Sequence, residues 1–368
     1  MTDRTKCSGV YLRNTLSICS FFLAAAIFNC LVNRVSVAQE TKDTASRLPV
    51  DHRLQGRFPL LTNEEAWNRL PESEEGSATT LPDWARILVH SLPRTTAAML
   101  ELDWHHRANS PLDPSLRGMM RWTVAHAIRC DYSKAVAVAD LQRAGLEQNQ
   151  IEALEHEDAT QPLAERAAVH FARKLTLAAD TVTDEEVAKL IDWYGEKQLV
   201  AMVLLIAHAN FQDRLFLSLG LGIEPNGPLP PAQVSFVRNQ SKSIEVPARK
   251  HVAESLEDNR ADETTKIDDS EWLSQDFATL QSKLKDQRER PGRIRVPTWD
   301  DVREWLPERA RRNDPVRIKW SLVCVGYQPE LALGWSACLR TFAEDAKQDR
   351  VFEESLFWVI TRTIHCFY

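Results

Sequence analysis

The sequence predicts an all-α protein, and three observations carry that expectation. Glycine is scarce, 12 in 368 residues, while tryptophan is abundant at 11, a balance suited to packed helices rather than to a turn-rich β protein. Helix starts recur in which a threonine stands just before acidic residues, the arrangement that satisfies free N–H groups at a helix N-terminus. Residues 199–209 are apolar all round, as a central buried helix is, and that run is too short to span a bilayer. No segment alternates convincingly in the manner of a strand.

Taken in order, the chain opens with Arg4, Lys6 and Arg13 before an apolar run over 16–32. Ser36, Val37 and Ala38 then offer small residues for cleavage, so 1–38 reads as a signal peptide and the protein as exported, periplasmic or extracellular. An uncleaved anchor is the competing reading. The run contains Asn29 and falls short of the ~20 apolar residues that span a membrane, so no membrane association is expected after cleavage. Residues 39–55 read as a disordered lead.

Residues 56–222 read as the first helical domain. Thr62 precedes Glu64 and Glu65, and Pro82 suits a helix start. Leu116, Met120, Thr123, Val124 and Ala127 mark one face of a further helix, and 133–144 forms another closed by Gly145. Leu163, Ala167, Phe171 and Leu175 repeat at i, i+4. Thr183 and Glu186 make a capping box for a helix ending near Gly195, followed by the apolar run at 199–209. Residues 223–270 open on Pro225, Pro228, Pro230 and Pro231, then fill with Ser, Asn, Lys and Glu; they read as a disordered linker.

A weak internal repeat runs through the chain at a shift of 236 residues. Gly56 and Arg57 return as Gly292 and Arg293, and Leu70, Pro71 and Glu72 as Leu306, Pro307 and Glu308. Trp84, Pro93 and Trp122 return as Trp320, Pro329 and Trp358, and Cys130 and Tyr132 as Cys366 and Tyr368. Residues 271–368 are therefore expected to form a partial second copy of the first domain. Its apolar residues Trp320, Trp335, Phe352, Trp358 and Ile360 must find cover without a counterpart of 199–209, either from the complete copy or from a second chain as a homo-oligomer.

A formal charge of -7 with no Lys/Arg stripe argues against nucleic acid as a partner. Of the seven cysteines, Cys7, Cys19 and Cys30 fall in the export signal. Cys130, Cys324, Cys338 and Cys366 are too few for a disulfide scaffold in so long a chain, which leaves core packing or redox chemistry. Trp104, His105 and His106 have no acid or cysteine at metal-ligand spacing, and neither a metal nor a cofactor is expected. Gly220 and Gly222 lack the strand that phosphate binding needs.

Cys130, Asp131, Tyr132 and Ser133, followed by a helix to Gly145, resemble the C-x-Y-C motif of the carboxymuconolactone decarboxylase / alkylhydroperoxidase D superfamily. The stretch 167–222, with its Thr183 turn and Asn210 and Arg214 after the apolar run, resembles the close of such a domain. The resemblance implies an alkylhydroperoxidase D-like helical bundle, one complete copy plus a partial second. It also implies thiol-dependent reduction of hydroperoxides, with an unidentified thiol reductant as partner.

The motif works because a thiolate at a helix N-terminus is stabilised there, and a second thiol one turn on resolves the sulfenic acid left by peroxide. The resemblance places the first cysteine at Cys130 and Cys366, and the relay acid at Glu354 in the second copy; these are the candidate catalytic residues. In the first copy Ser133 stands for the second cysteine, Gly118 for the relay Glu and Ala137 for the relay His. His126 and His365, near the two cysteines, are further candidates to polarise a thiol. With neither copy whole, the expectation is peroxidase activity impaired to near background. The alternatives are a non-catalytic helical oligomerisation or interaction module, and a carboxymuconolactone decarboxylase-type lyase.

Overall fold

The computed structural model describes residues 58–74, 79–156, 162–237, 274–289, 291–308, 311 and 315–363. The expected signal peptide, the disordered lead and Cys366 lie outside them. The described residues form an all-α protein whose extended segments meet only at an isolated bridge between Ser73 and Phe236.

Four helices open the chain: α1 (Asn63–Arg69), α2 (Asp83–Leu88), α3 (Pro93–Arg107) and α4 (Pro114–Ile128). Then come α5 (Asp131–Arg143), the short α6 (Gln148–Glu152), α7 (Leu163–Leu177) and the long α8 (Asp184–Leu219). Later in the chain lie α9 (Phe277–Glu289), α10 (Trp299–Trp305), α11 (Lys319–Tyr327), α12 (Pro329–Ala346) and α13 (Arg350–Thr363).

The caps read from the sequence are present. Thr62, Thr183 and Thr298 each accept from the backbone N–H three residues on, where Glu65, Glu186 and Asp301 return the bond. The helix expected to end near Gly195 and the apolar run at 199–209 are one element, α8. Gly195 sits inside it at φ 78, ψ 162, a non-helical conformation open to glycine, so that two helical segments meet there across a kink and the first ends where the sequence places its end. Leu199, Met202, Leu205, Ile206 and Ala209 are buried as expected, with Val203 as the exposed exception.

Two hydrophobic cores share α8. One gathers α4, α5, α7 and the apolar stretch of α8 around Met120, Leu141, Phe171 and Leu205. The other joins α1 to α3 with Phe216 of α8 and, from the later helices, Leu331, Trp335 and Cys338 of α12. Each large apolar side chain fully buried here contributes about 1.5–3 kcal/mol.

The expectation of a disordered linker over 223–270 needs correcting at its front. Residues 223–237 pack as a strap across α3. Ala232, Val234 and Phe236 are buried on alternate positions, and the backbone bonds to Glu72 and Glu74. Proline prevents a helix in this strap but does not prevent burial of an extended one, and the alternation of apolar residues gives it one buried face. The rest of the expected linker, 238–270, lies outside the described residues.

The helix starts of the first four elements are matched later in the chain at one offset. Asn63, Asp83, Pro93 and Pro114 begin α1 to α4, and Trp299, Lys319, Pro329 and Arg350 begin α10 to α13, each 236 residues on. The most extensive helix pairing sets α12 against α3. Gly334 permits it, since a Cβ there would lie 2.9 Å from Leu102 Cδ1. Asp345, near the end of α12, accepts from the Thr95 N–H and hydroxyl and pairs with Arg94 at the start of α3. Trp335 is thereby buried; on α13 Ile360 is buried, whereas Phe352 and Trp358 stay exposed.

Candidate functional site

α4 ends on Arg129, a non-glycine residue in the left-handed region (φ 62), and α5 begins two residues later. Cys130 is thus the N-cap of α5, where the resemblance places the reactive cysteine. Its side chain makes no capping bond and is 2 % exposed. Burial, with the Asp213 charge, pushes its thiol up to about 11, against the pull of Ser133. The helix N-terminus that should favour a thiolate is outweighed by the loss of water around it.

Ser133, one turn on, is buried with a hydroxyl that closes no hydrogen bond. The relay-acid position is occupied by packing: a Cβ on Gly118 would meet Leu141 Cδ2 at 2.6 Å, so α4 and α5 approach too closely there for any larger residue. Ala137, at the relay-His position, is fully buried. His126 stacks on Trp122 at 4.8 Å. Glu354 is exposed on α13, bonded to Arg350 of its own helix. Cys366, the cysteine that Glu354 is expected to serve, lies with His365 outside the described residues.

Around the buried face of Tyr132 and Ser133 the helices enclose a small polar pocket. Asp103 and Arg107 of α3, Arg121 of α4, Tyr132 and Ser133 of α5 and Gln212 of α8 line it, with Trp84, Phe216 and the strap as apolar walls. Arg107 donates to Asp103 at 3.1 Å and to both oxygens of Asp140, and to the Leu229 carbonyl of the strap. Burial works against this guanidinium, but Asp103 and Asp140 overcome it and raise its pKa. Asp103 likewise keeps its charge despite burial, held low by Arg107, His208 and Arg121. Its other oxygen accepts from Gln212 Nε2 at 2.8 Å, and Gln212 Oε1 accepts from Arg121 Nη2 at 3.0 Å. Tyr132 donates to Glu224 at 2.6 Å, which fastens the start of the strap over α5.

Behind this chain His106 and His208 stack at 4.3 Å, both without exposure; His208 Nε2 stands 3.9 Å from Asp103 Oδ1, beyond hydrogen-bond distance. Burial holds His106 well below the ordinary 6.5 and pushes His208 down to about 4, so both rings are neutral near pH 7. Trp335 of α12 closes the stack edge-on at 5.7 Å from His208. Asp213, one residue beyond Gln212, is pushed up to about 7 by burial, opposed by Ser133, Arg121 and Arg214. Neither of its oxygens is hydrogen-bonded.

Sequence reasoning followed the cysteine motif and weighed His106 only as a metal ligand, so Asp103, Arg107, Arg121, His208, Gln212 and Asp213 escaped it. The signal was present: His208, Asn210, Gln212, Asp213 and Arg214 crowd one helix directly after its apolar run, and Asp103 and Arg107 lie one turn apart between apolar neighbours.

Against known families, the model of the carboxymuconolactone decarboxylase family matches residues 93–174, from the start of α3 into α7. The matched stretch contains Cys130, Ser133 and half of the residues that line the pocket. No curated protein matches. No solved structure matches either.

Proposed function

We propose that this is an exported member of the carboxymuconolactone decarboxylase family in which alkylhydroperoxidase-type reduction stands at background, the helical domain persisting as a small-molecule-binding module. One observation carries the reading. The cysteine at the family's reactive position is sealed from water as a protonated thiol, with a serine where a second thiol would resolve its oxidation. The N-terminal apolar run supports export, and the common offset of four helix starts supports a partial second copy in 271–368. Cys366 and Glu354 are then remnants of that copy's site.

The test is a hydroperoxide-consumption assay on the full chain with a dithiol reductant. The expected result is a rate equal to the buffer control and unchanged by Cys130→Ser or Cys366→Ser. Turnover well above the control that disappears in either variant would overturn the reading. Lyase-type acid–base chemistry has one observation in its favour, the buried Asp213 carboxyl poised near neutrality beside Ser133. It predicts substrate-dependent proton exchange abolished by Asp213→Asn and untouched by Cys130→Ser.

A further inference from the structure

α13 carries an apolar face that the repeat identifies as a core face. Its positions stand 236 residues after those of α4, so Phe352, Leu356, Trp358 and Val359 answer to Leu116, Met120, Trp122 and Thr123. In α4 all four are buried, Leu116 at 4 % and Met120 without exposure, on the side that α4 packs against α5, α7 and α8. In α13 all four are exposed, Phe352 at 59 % and Leu356 at 46 %, together with Val351. At helical spacing these five residues share one broad arc, with Ser355 at its middle. Among the described residues no helix packs on α13 as extensively as those three pack on α4.

The helices that cover such a face in the first copy are already committed. α5, α7 and α8 pack on α4, and α3 packs on α12. The stretches 39–57 and 238–273 are dominated by charged and polar residues, a composition poorly suited to burying an apolar stripe. The charges that border the face, Arg350 and Glu354, pair with each other on the same helix, which leaves apolar contact as its means of recognition. An identical stripe on a second chain meets that requirement. At roughly 150–250 Å² for a large side chain, the exposed fractions come to roughly 500 Å² per chain, so a two-fold pairing covers about 1,000 Å², the lower end for a specific interface. A single-chain patch of that size also exceeds what scattered surface residues present.

We infer that α13 is a self-association surface, and that its partner is α13 of a second copy of this chain. The two helices pair antiparallel about a two-fold axis, each laying Phe352, Leu356 and Val359 on the other and crossing near Ser355. The face that α4 buries within one chain is thus buried by α13 between two. The modest area makes the dimer a micromolar one that exchanges with monomer. The inference is independent of the pocket and of hydroperoxide turnover, neither of which involves this face.

The experiment is sedimentation velocity on the chain from Gln39 onward, which keeps every described residue and leaves out the apolar run over 16–32. Between about 1 and 200 µM protein the expected result is a monomer–dimer equilibrium with a micromolar midpoint. Phe352→Glu is expected to raise the dissociation constant at least tenfold, while Leu163→Glu, at an exposed leucine on α7, leaves it unchanged. Should Phe352→Glu fail to fold, Leu356→Gln carries the comparison, each variant with a helical circular-dichroism spectrum as control. The two-fold arrangement is read separately: Ser355→Cys, in a Cys366→Ser chain, should cross-link two chains on mild oxidation. A monomer at every concentration would overturn the surface, as would association that Phe352→Glu and Leu356→Gln leave unchanged. Dimers that form but never cross-link through Ser355→Cys would overturn the pairing of α13 with itself.

Discussion

Replacing Asp213 by asparagine isolates one buried charge by its pH dependence. In the folded chain this carboxyl titrates at about 7, and in the unfolded chain at its ordinary 3.8. Between those values the native state holds a proton that the unfolded state has released. Asp213 therefore favours folding at the acid end of the window, and that contribution is lost as pH rises through 7. His106 and His208 act oppositely. Their folded pKa values lie below 6.5, so unfolding takes up protons in acid and their effect raises stability with pH up to about 6.5. In wild type the two trends partly cancel; in Asp213→Asn only the histidine trend remains.

Subtracting wild type from variant removes the histidines and any constant cost of the amide. What survives is the change in Asp213 linkage between about pH 5 and pH 8.5, roughly 3 kcal/mol by the linkage relation. Urea unfolding at both pH values measures it. The asparagine chain should gain that amount relative to wild type on going from the lower pH to the higher. A difference independent of pH would mean that Asp213 titrates normally, and the account of a desolvated carboxyl beside Ser133 would be wrong.

Three further outcomes follow from the packing. With its thiol pushed from 9.0 to about 11, Cys130 should carry about 100-fold less thiolate at neutral pH than an ordinary cysteine. Iodoacetamide labelling followed by peptide mass spectrometry should find it inert until urea is added, and equal rates in the two states would contradict the burial. Gly118→Ala forces a methyl against Leu141 and should destabilise the chain by about 1–3 kcal/mol, with Leu141→Ala in the same chain recovering part of the loss in thermal unfolding. Asp345→Ala strands the Thr95 N–H and hydroxyl and should cost about 1–3 kcal/mol in urea; no cost would mean that α12 is not seated on α3 as described.

What could be read from the sequence was whatever local chemistry determines. The threonine caps, the turn at Gly145 and the burial of 199–209 depend on neighbouring residues alone, and they stand as expected. The strap at 223–237 was misread because proline and polar residues dominate its composition, while Ala232, Val234 and Phe236 gain their cover from α1 and α3, far off in sequence. The break at Gly195 was legible because glycine usually ends a helix, and its non-helical φ/ψ divides 184–219 into two segments joined at a kink. The pocket was the least legible part. A motif search leads to Cys130, but whether a cysteine is a nucleophile depends on the water around it, and that is set by α3, α8 and the strap together. The same holds for Arg121, whose bond to Gln212 is visible only once α4 and α8 have met.

The seating of α12 on α3 has a consequence for how the molecule behaves on dilution. Because both helices belong to one polypeptide, their meeting is unimolecular, and the tether sets a fixed local concentration. A contact that would fall apart between separate molecules at cellular abundance stays closed here however scarce the protein is. Trp335, which shuts off the stacked histidines, therefore remains in place without any requirement for assembly. The closure of that buried polar region should be the same at nanomolar as at micromolar protein.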